Sequence, residues 1–367
     1  MRVGYFTMPL HPPGADPGRT IAEDLEQLVF LDQLGYEEAW IGEHITAEWE
    51  NIPCPDLFIA QALGMTRQMK LGTGVSCLPN HNPLMLAQRI AQLDQMARGR
   101  FLWGVGSGGF PGDLELFELD SKAGEHRTVT RAMLDLVLDL WNDPKPGVYE
   151  APRWRFRVPE PQDDIALRLH LRPYQRPHPP IAVAGVTEKS DTLALAGERG
   201  YIPMSLNLNP AYVGSHWESV EIGAARTGRK PKRSDWRLVR EVFIADTDEE
   251  AWRLSVGDMM GRMMTEYFLP LLGHFGFKDY LKATPDVADS DVTAEYCARN
   301  NWIVGSPATV TEKIEKIYHE VGGFGTLLVF GFDYKHKPEA WHNSLRLLKQ
   351  EVMPRLKHLD AGLTKAA

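Results

Sequence analysis

Short apolar runs alternate with segments of helical period along most of the chain. Residues 2–6 form the first run. Ile21, Leu25, Leu28, Val29 and Leu31 then recur near helical spacing, with Thr20 as a cap and Glu23 three residues on. Ala39-Trp40-Ile41, bounded by Gly35 and Gly42, reads as a buried strand. A helix over 56–66, a strand over 70–77, a helix over 83–98 stopped by Gly99, and a strand over 100–105 follow, and 126–141 is again helical. Strands over 181–186, 201–206, 236–245 and 325–332 then alternate with helices over 190–199, 210–227, from 248, over 307–321 with Ser306 as cap, and over 338–351. Eight strand–helix units predict an α/β fold of the closed (β/α)8 type, the TIM barrel; a doubly wound open sheet is the alternative.

Two stretches break the rhythm and read as insertions in a single domain spanning 1–367. The first, about 142–180 after strand 4, is rich in Pro, Arg and charge and too long for an ordinary connection; a small hairpin is expected around 154–158. The second, about 259–301 after strand 7, is irregular and rich in Met259, Met260, Met263, Met264, Tyr267, Phe268, Phe275, Phe277 and Tyr280. Such a stretch packs a core or forms a pliant apolar lid.

Composition narrows the class. The 367 residues are 43% hydrophobic, enough for the core of one large barrel. A net charge of −9 without a long basic run argues against nucleic acid as partner. Cys54, Cys77 and Cys297 are odd in number and lack CxxC spacing, which speaks against a disulfide framework or structural zinc. The opening MRVGYFTMPL lacks the features of a signal peptide, and no apolar run is long enough to span a membrane, so a cytoplasmic protein is expected.

The candidate chemistry collects at strand ends. Glu43-His44 follows the strand of Trp40, and Trp49, Glu50, Asn51, Pro53 and Pro55 come just after. In a barrel this is the carboxyl-end mouth, where His44 serves either as a cap or as a catalyst. Gly104, Gly106 and Gly109 match GxGxxG, but Phe110-Pro111-Gly112-Asp113 does not read as opening a helix and the strand is fourth in order, so a dinucleotide site is not supported. Glycines there, and Gly74 in Thr73-Gly74-Val75-Ser76, can instead let a flat ring approach the backbone; a bulge or tight exit turn explains Gly74 equally well. Residues 184–192, AGVTEKSDT, lead into a helix whose N-terminus suits a phosphate, although ordinary capping by Ser190 or Thr187 is the simpler reading. His11, His81 and His126 stand alone and form no metal set, and Ser107 and Ser190 lack a nucleophile elbow.

Several motifs occur together in a specific order. They are Trp40-Ile41-Gly42-Glu43-His44, Leu71-Gly72-Thr73-Gly74-Val75 through Leu78-Pro79 and Pro83, and Leu93-Asp94-Gln95-Met96 with Gly99-Arg100-Phe101. Gly104-Val105-Gly106, Ala182-Val183-Ala184-Gly185 and Gly305-Ser306-Pro307 with Val310 follow. In this order the chain resembles the bacterial luciferase-like flavin-dependent monooxygenases over nearly its whole length. Trp49-Glu50-Asn51-Ile52-Pro53, Leu195-Ala196-Gly197-Glu198-Arg199 and Gly323-Phe324-Gly325-Thr326-Leu327 make it most similar to the branch of the diketocamphane and limonene monooxygenases.

The resemblance implies a barrel that binds reduced FMN at the carboxyl ends of its strands. It implies a two-component system: an NAD(P)H:flavin reductase supplies the flavin, and O2 is co-substrate. Through a C4a-(hydro)peroxyflavin the enzyme would oxygenate a small apolar, cyclic or terpenoid molecule by Baeyer–Villiger reaction, hydroxylation or epoxidation. His44 takes the catalytic place, and Gly74-Val75 the family's non-proline cis peptide. Glu43, Gly74, Val75, Gly106 and Ser107 fall at the flavin, and Ala184, Gly185, Val186, Ser190 and Thr192 at its phosphate end. Met8, Trp40 and Trp49 fall at the substrate. The chain departs from luciferase at Gly106, where luciferase has a reactive cysteine, and at Ser107, where it has an arginine that meets the phosphate. A homodimer is expected. The alternatives are an F420-dependent oxidoreductase of the same fold and a non-catalytic flavin-binding protein.

Overall fold

The computed structural model describes residues 1–120 and 122–359. Eight parallel strands close into a ring: β1 (Arg2–Thr7), β2 (Glu38–Ile41), β3 (Lys70–Thr73), β4 (Phe101–Gly106), β5 (Ile181–Gly185), β6 (Ile202–Ser205), β7 (Arg237–Arg240) and β8 (Thr326–Phe330). Neighbours pair in chain order, and β1 pairs with β8 from Arg2↔Thr326 to Phe6↔Phe330, which closes the barrel and leaves no edge. This is the fold expected from the alternation. The strands read as continuous apolar runs because helices cover their outer faces while the barrel interior covers the inner ones.

The barrel interior is not purely apolar. Glu38 and Arg237 meet across it, with Nε and Nη2 each 3.0 Å from a carboxylate oxygen, and Trp40 Nε1 donates to Glu38 Oε1 at 2.9 Å. The Trp40 ring lies over Gly72, where an added Cβ would stand 2.6 Å from the indole; at Gly104 it would stand 2.0 Å from the Thr73 carbonyl oxygen. The glycines of β3 and β4 are thus first of all the space in which Trp40 and the neighbouring backbone fit.

Local signals set the element ends, with some shifts from the sequence reading. The helix Pro17–Leu34 is capped by Asp16, which accepts from Arg19 N–H, and Thr20 lies buried in its first turn, bonded to Pro17 O. The earlier start follows from Pro17, whose fixed φ suits the first helical position. The helix Pro83–Ala97 has Asn82 as N-cap and ends on Arg98 in the left-handed region (φ 48°), one residue before Gly99. Ser306 caps Pro307–Glu320 as expected.

The first insertion carries an antiparallel hairpin, Gly147–Ala151 with Trp154–Val158. The second is more ordered than expected. From Asp248 to His274 the chain is helical, interrupted by wide turns at Ser255–Met259 and Met264–Phe268, and a further helix spans Ala294–Asn300. The strand expected over 236–245 is divided: β7 ends at Arg240, and Val242–Ile244 leaves the barrel to pair with Ile303–Gly305. No helix among the described residues is long and apolar enough to cross a membrane.

Candidate functional site

His44 lies just past β2, at the carboxyl end of the barrel. The loop that it opens doubles back: His44 N–H donates to Ile52 O at 3.3 Å and Glu50 N–H to Ala47 O at 2.9 Å. A bridge between Leu10 and Glu50 ties this loop to the one after β1. Glu50 is thereby returned to the side of His44. Its Oε2 lies 3.2 Å from His44 Nε2, at ion-pair distance though without hydrogen-bond alignment. On the other side of the ring, Nδ1 is 3.3 Å from Asp113 Oδ2. The imidazole is 11% exposed and the two carboxylates 2% and 3%, so charges here are poorly screened.

Both carboxylates are anchored. Asp113 stands on a short helix, Pro111–Glu115, and accepts from Thr46 N–H at 2.7 Å, Thr46 Oγ1 at 2.5 Å and Ile45 N–H at 3.3 Å. This helix is not expected from Phe110-Pro111-Gly112-Asp113, because five residues are too few to carry a periodic signal; Pro111 suits its first position. Glu50 Oε1 accepts from Tyr267 Oη at 2.6 Å, and Tyr267 belongs to the second insertion. Rings close the surroundings: Phe110 stacks on His44 with centroids 4.0 Å apart, Phe275 packs on Phe110 at 5.8 Å, and Trp49 stacks on Tyr267 at 5.3 Å.

The titration of these groups follows from the geometry. Burial acts to lower the His44 pKa, but Glu50 and then Asp113 outweigh it and raise the value. Burial raises Glu50, against the opposing pull of His44 and the Tyr267 hydroxyl. Burial also acts to raise Asp113, yet its hydrogen bonds from His44 and Thr46 prevail and lower it. The Tyr267 hydroxyl is pushed up by burial and by Glu50. The arrangement therefore favours an imidazolium between carboxylates.

Other residues singled out in the sequence fall into place differently. Glu43 is 2% exposed and bound into a structural knot: Asn80 Nδ2 donates to it at 3.1 Å, His81 Nε2 lies 3.1 Å from both oxygens, and Arg89 bridges His81 to Asp56. Its carboxylate is committed to these partners, and His81 is not alone. Trp40 is fully enclosed in the barrel core, away from any open wall. Trp49 and Met8 are half-buried at the mouth, and Met8 Sδ lies 3.0 Å from where a Cβ on Gly42 would be.

The peptide bond Gly74-Val75 is cis, as the resemblance implies. A Cβ on Gly74 would point at Trp40 and Phe6 in the core, 3.0 and 3.1 Å away, and one on Gly106 would strike Val75 Cγ2 at 2.4 Å. Ser107 is half-buried in the open run 106–109. Ser190 is the N-cap of Asp191–Arg199, accepting from Leu193 N–H, and a Cβ on Gly185 would meet Leu193 at 2.5 Å. Thr192 Oγ1 donates to Ala184 O at 2.8 Å and lies 2.8 Å from Ser190 Oγ. The capping reading accounts for these hydroxyls; half-buried Val186 and Thr187 lead into this helix start. The residues that sequence reasoning passed over are Asp113, Phe110 and the pairing of Glu50 with Tyr267. Only Glu50 left a local trace, as an acid six residues past the histidine on the same loop.

Comparisons with known proteins identify the family. The family model described as "Luciferase-like monooxygenase" matches residues 1–324. The chain is 36% identical to 4-hydroxyprotoasukamycin monooxygenase of Streptomyces nodosus subsp. asukaensis, over 98% of this chain and 94% of that protein. It is 32% identical to limonene 1,2-monooxygenase of Rhodococcus erythropolis, over 96% and 85%. The solved structure of the oxygenating constituent of 3,6-diketocamphane monooxygenase from Pseudomonas putida, a type II Baeyer–Villiger monooxygenase in complex with FMN, superposes with a TM-score of 0.90 at 32% identity, covering 97% of this chain and 98% of that one. The chain belongs to the luciferase-like monooxygenase family.

Proposed function

We propose that this protein is the oxygenase component of a two-component flavin-dependent monooxygenase. It uses FMN, reduced by a separate NAD(P)H:flavin reductase, and O2 to place one oxygen atom in a small apolar, cyclic or terpenoid substrate. The observation that carries this reading is His44, held between two buried carboxylates at the mouth of a barrel of this family. Two of the relatives, the limonene and the 3,6-diketocamphane monooxygenases, are named for such molecules, and the second was solved with FMN.

The residues fit a flavin. The run Gly106-Ser107-Gly108-Gly109, half-buried to Gly108 and exposed at Gly109, presents mostly backbone at the mouth, and nothing lies within 4 Å of a Cβ on Gly109. With Gly74-Val75 it suits one face of a flat ring. The first turn of Asp191–Arg199 leaves the N–H groups of Asp191 and Thr192 for an anion, beside Gly185, Val186 and Ser190. When bound, reduced flavin supplies the electrons and the oxygen-activating ring.

The chain's own residues bind, enclose and handle protons. His44 as imidazolium holds a proton on Nδ1 against Asp113 and another on Nε2, the nitrogen that can give or regain one as charge develops on oxygen. Phe110, Phe275, Trp49 and Tyr267 wall this nitrogen from water, and Met8 and Trp49 offer apolar surface at the mouth.

His44→Ala tests the reading with photoreduced FMN under air and a panel of bicyclic ketones, monoterpenes and long-chain aldehydes. The variant is expected to bind reduced FMN nearly as tightly as the parent, to lose product, and to release more hydrogen peroxide. Retention of most of the oxygenation rate would sink the role of His44. Tight binding of F420 without oxygen transfer by the parent would sink the whole proposal.

A further inference from the structure

The site holds one more acid than a histidine needs for orientation. Asp113 alone fixes Nδ1. Glu50 adds a second buried carboxylate on the opposite edge of the ring, and its backbone is held there by the Ala47–Glu50 turn, the bridge to Leu10, and the donation of Asn51 N–H to Pro9 O at 3.2 Å. Two buried carboxylates around one ring are stable only with a cation between them and donors on their remaining oxygens. The donor to Glu50 comes from far along the chain, the hydroxyl of Tyr267 at 2.6 Å. The same helical insertion touches the other side of the histidine through Phe275 and Phe110, and it is seated on the barrel by Phe268, whose ring meets Phe330 of β8 edge-on at 5.6 Å.

We propose that Glu50 and Tyr267 are a positioning pair through which the second insertion sets the charge of His44. With the insertion seated, Tyr267 donates to Glu50 Oε1, Glu50 stays anionic with Oε2 toward His44 Nε2, and His44 keeps both protons. When the insertion lifts to admit a ligand, Glu50 loses its donor and His44 loses part of the field that keeps it charged. Proton readiness at the mouth is thus tied to closure over it. The groups facing His44 are Glu50 and Asp113, with Glu43 further in; those facing Glu50 are His44, Tyr267 and Asp113. Neither Glu50 nor Tyr267 is required to touch the substrate.

This role rests on reading His44 as the catalytic group, but the charge coupling is measurable without flavin. The experiment follows the imidazole resonances of His44 by NMR against pH in the whole apoprotein, assigned through their loss in His44→Gln. In Glu50→Gln the midpoint should fall by about one pH unit or more, since an adjacent buried charge is removed. Glu50→Asp should recover part of that fall. Tyr267→Phe, which keeps the ring on Trp49, should lower the midpoint by a smaller amount in the same direction. Phe275→Leu loosens the packing of the insertion on Phe110 but keeps the hydroxyl, and should shift the midpoint less than Tyr267→Phe does. Unchanged midpoints in Glu50→Gln and Tyr267→Phe, with the fold retained by circular dichroism, would overturn the proposal. So would a shift in Phe275→Leu as large as that in Tyr267→Phe, because packing alone would then explain it. If the midpoints move as expected while His44→Ala still oxygenates, the coupling stands and the function assigned to His44 fails.

Discussion

Asp113→Asn asks how much of the site depends on one carboxylate. Asp113 accepts from Thr46 N–H, Thr46 Oγ1, Ile45 N–H and His44 Nδ1. The amide has nearly the same shape but only one oxygen, and its NH2 must face donors. About two of these contacts are lost, and hydrogen bonds to a charged group contribute roughly 1.5–3 kcal/mol each. After relaxation a net loss of about 3 kcal/mol is expected. The entropy of unfolding is about 2.1 cal/mol/K per residue, or roughly 0.8 kcal/mol/K for 367 residues. The melting point should therefore fall by about 4 °C.

The pH dependence of that loss distinguishes charge from shape. Asp113 has a lowered pKa, so its charge contributes fully above the unfolded value near 3.9 and is lost as pH falls through the folded value. His44 has a raised pKa, so its contribution is complete below about 6.5 and is lost as pH rises through the folded value. The gap between parent and variant should be widest between about pH 4 and 6.5. It should narrow on the acid side, and narrow above neutrality to the residue left by the lost Thr46 and Ile45 contacts. Urea unfolding at pH 5.5 and pH 9 measures both limits. Equal gaps at the two pH values would refute the claim that Asp113 acts on a charged His44.

Two further perturbations probe buried charge elsewhere. Glu38→Gln strands Arg237 inside the barrel and should cost about 3–5 kcal/mol, while the double change Glu38→Met with Arg237→Met should recover most of it; denaturant midpoints of the three proteins decide, and a double variant as weak as the single one would count against an ion-pair origin. Glu241 is fully buried, with Asn207 Nδ2 donating to it, and burial raises its pKa to about 7. A carboxyl protonated when folded and ionised when unfolded lowers stability as pH climbs between those two values, here by up to about 3–4 kcal/mol. Glu241→Gln should match the parent near pH 5 and exceed it at pH 8, and a difference independent of pH would show that burial of the charge is not the cause.

The barrel was legible because each strand is a short apolar run covered on both faces, so eight runs separated by helical periods carry the topology. The second insertion was not legible as helix, for a physical reason. The wide turns at Ser255–Met259 and Met264–Phe268 each add a residue to a turn and shift the phase of the apolar stripe. A 3.6 period that is reset twice within about twenty residues does not register as a period. The strand after β7 was merged for the opposite reason: Val242–Ile244 is apolar and as fully buried as β7, and only the charged pair Arg240-Glu241 marks the point where the chain leaves one sheet for another.

The site shows the same division at the scale of single atoms. A histidine at the end of a buried strand is visible in the sequence because strand ends and barrel mouths coincide. Its charge is not, because that depends on groups 69 positions away at Asp113 and, through Glu50, on a hydroxyl a further 217 positions from that acid. Free imidazole titrates near 6.5, so residue type alone leaves His44 poised between two forms. The fold removes the ambiguity by bringing three segments to one ring, and the segment that contributes Tyr267 is the one whose sequence reads only as core packing or a pliant apolar lid. If His44 performs the chemistry, that insertion is part of the acid that His44 becomes, and its sequence is constrained by a proton as well as by packing.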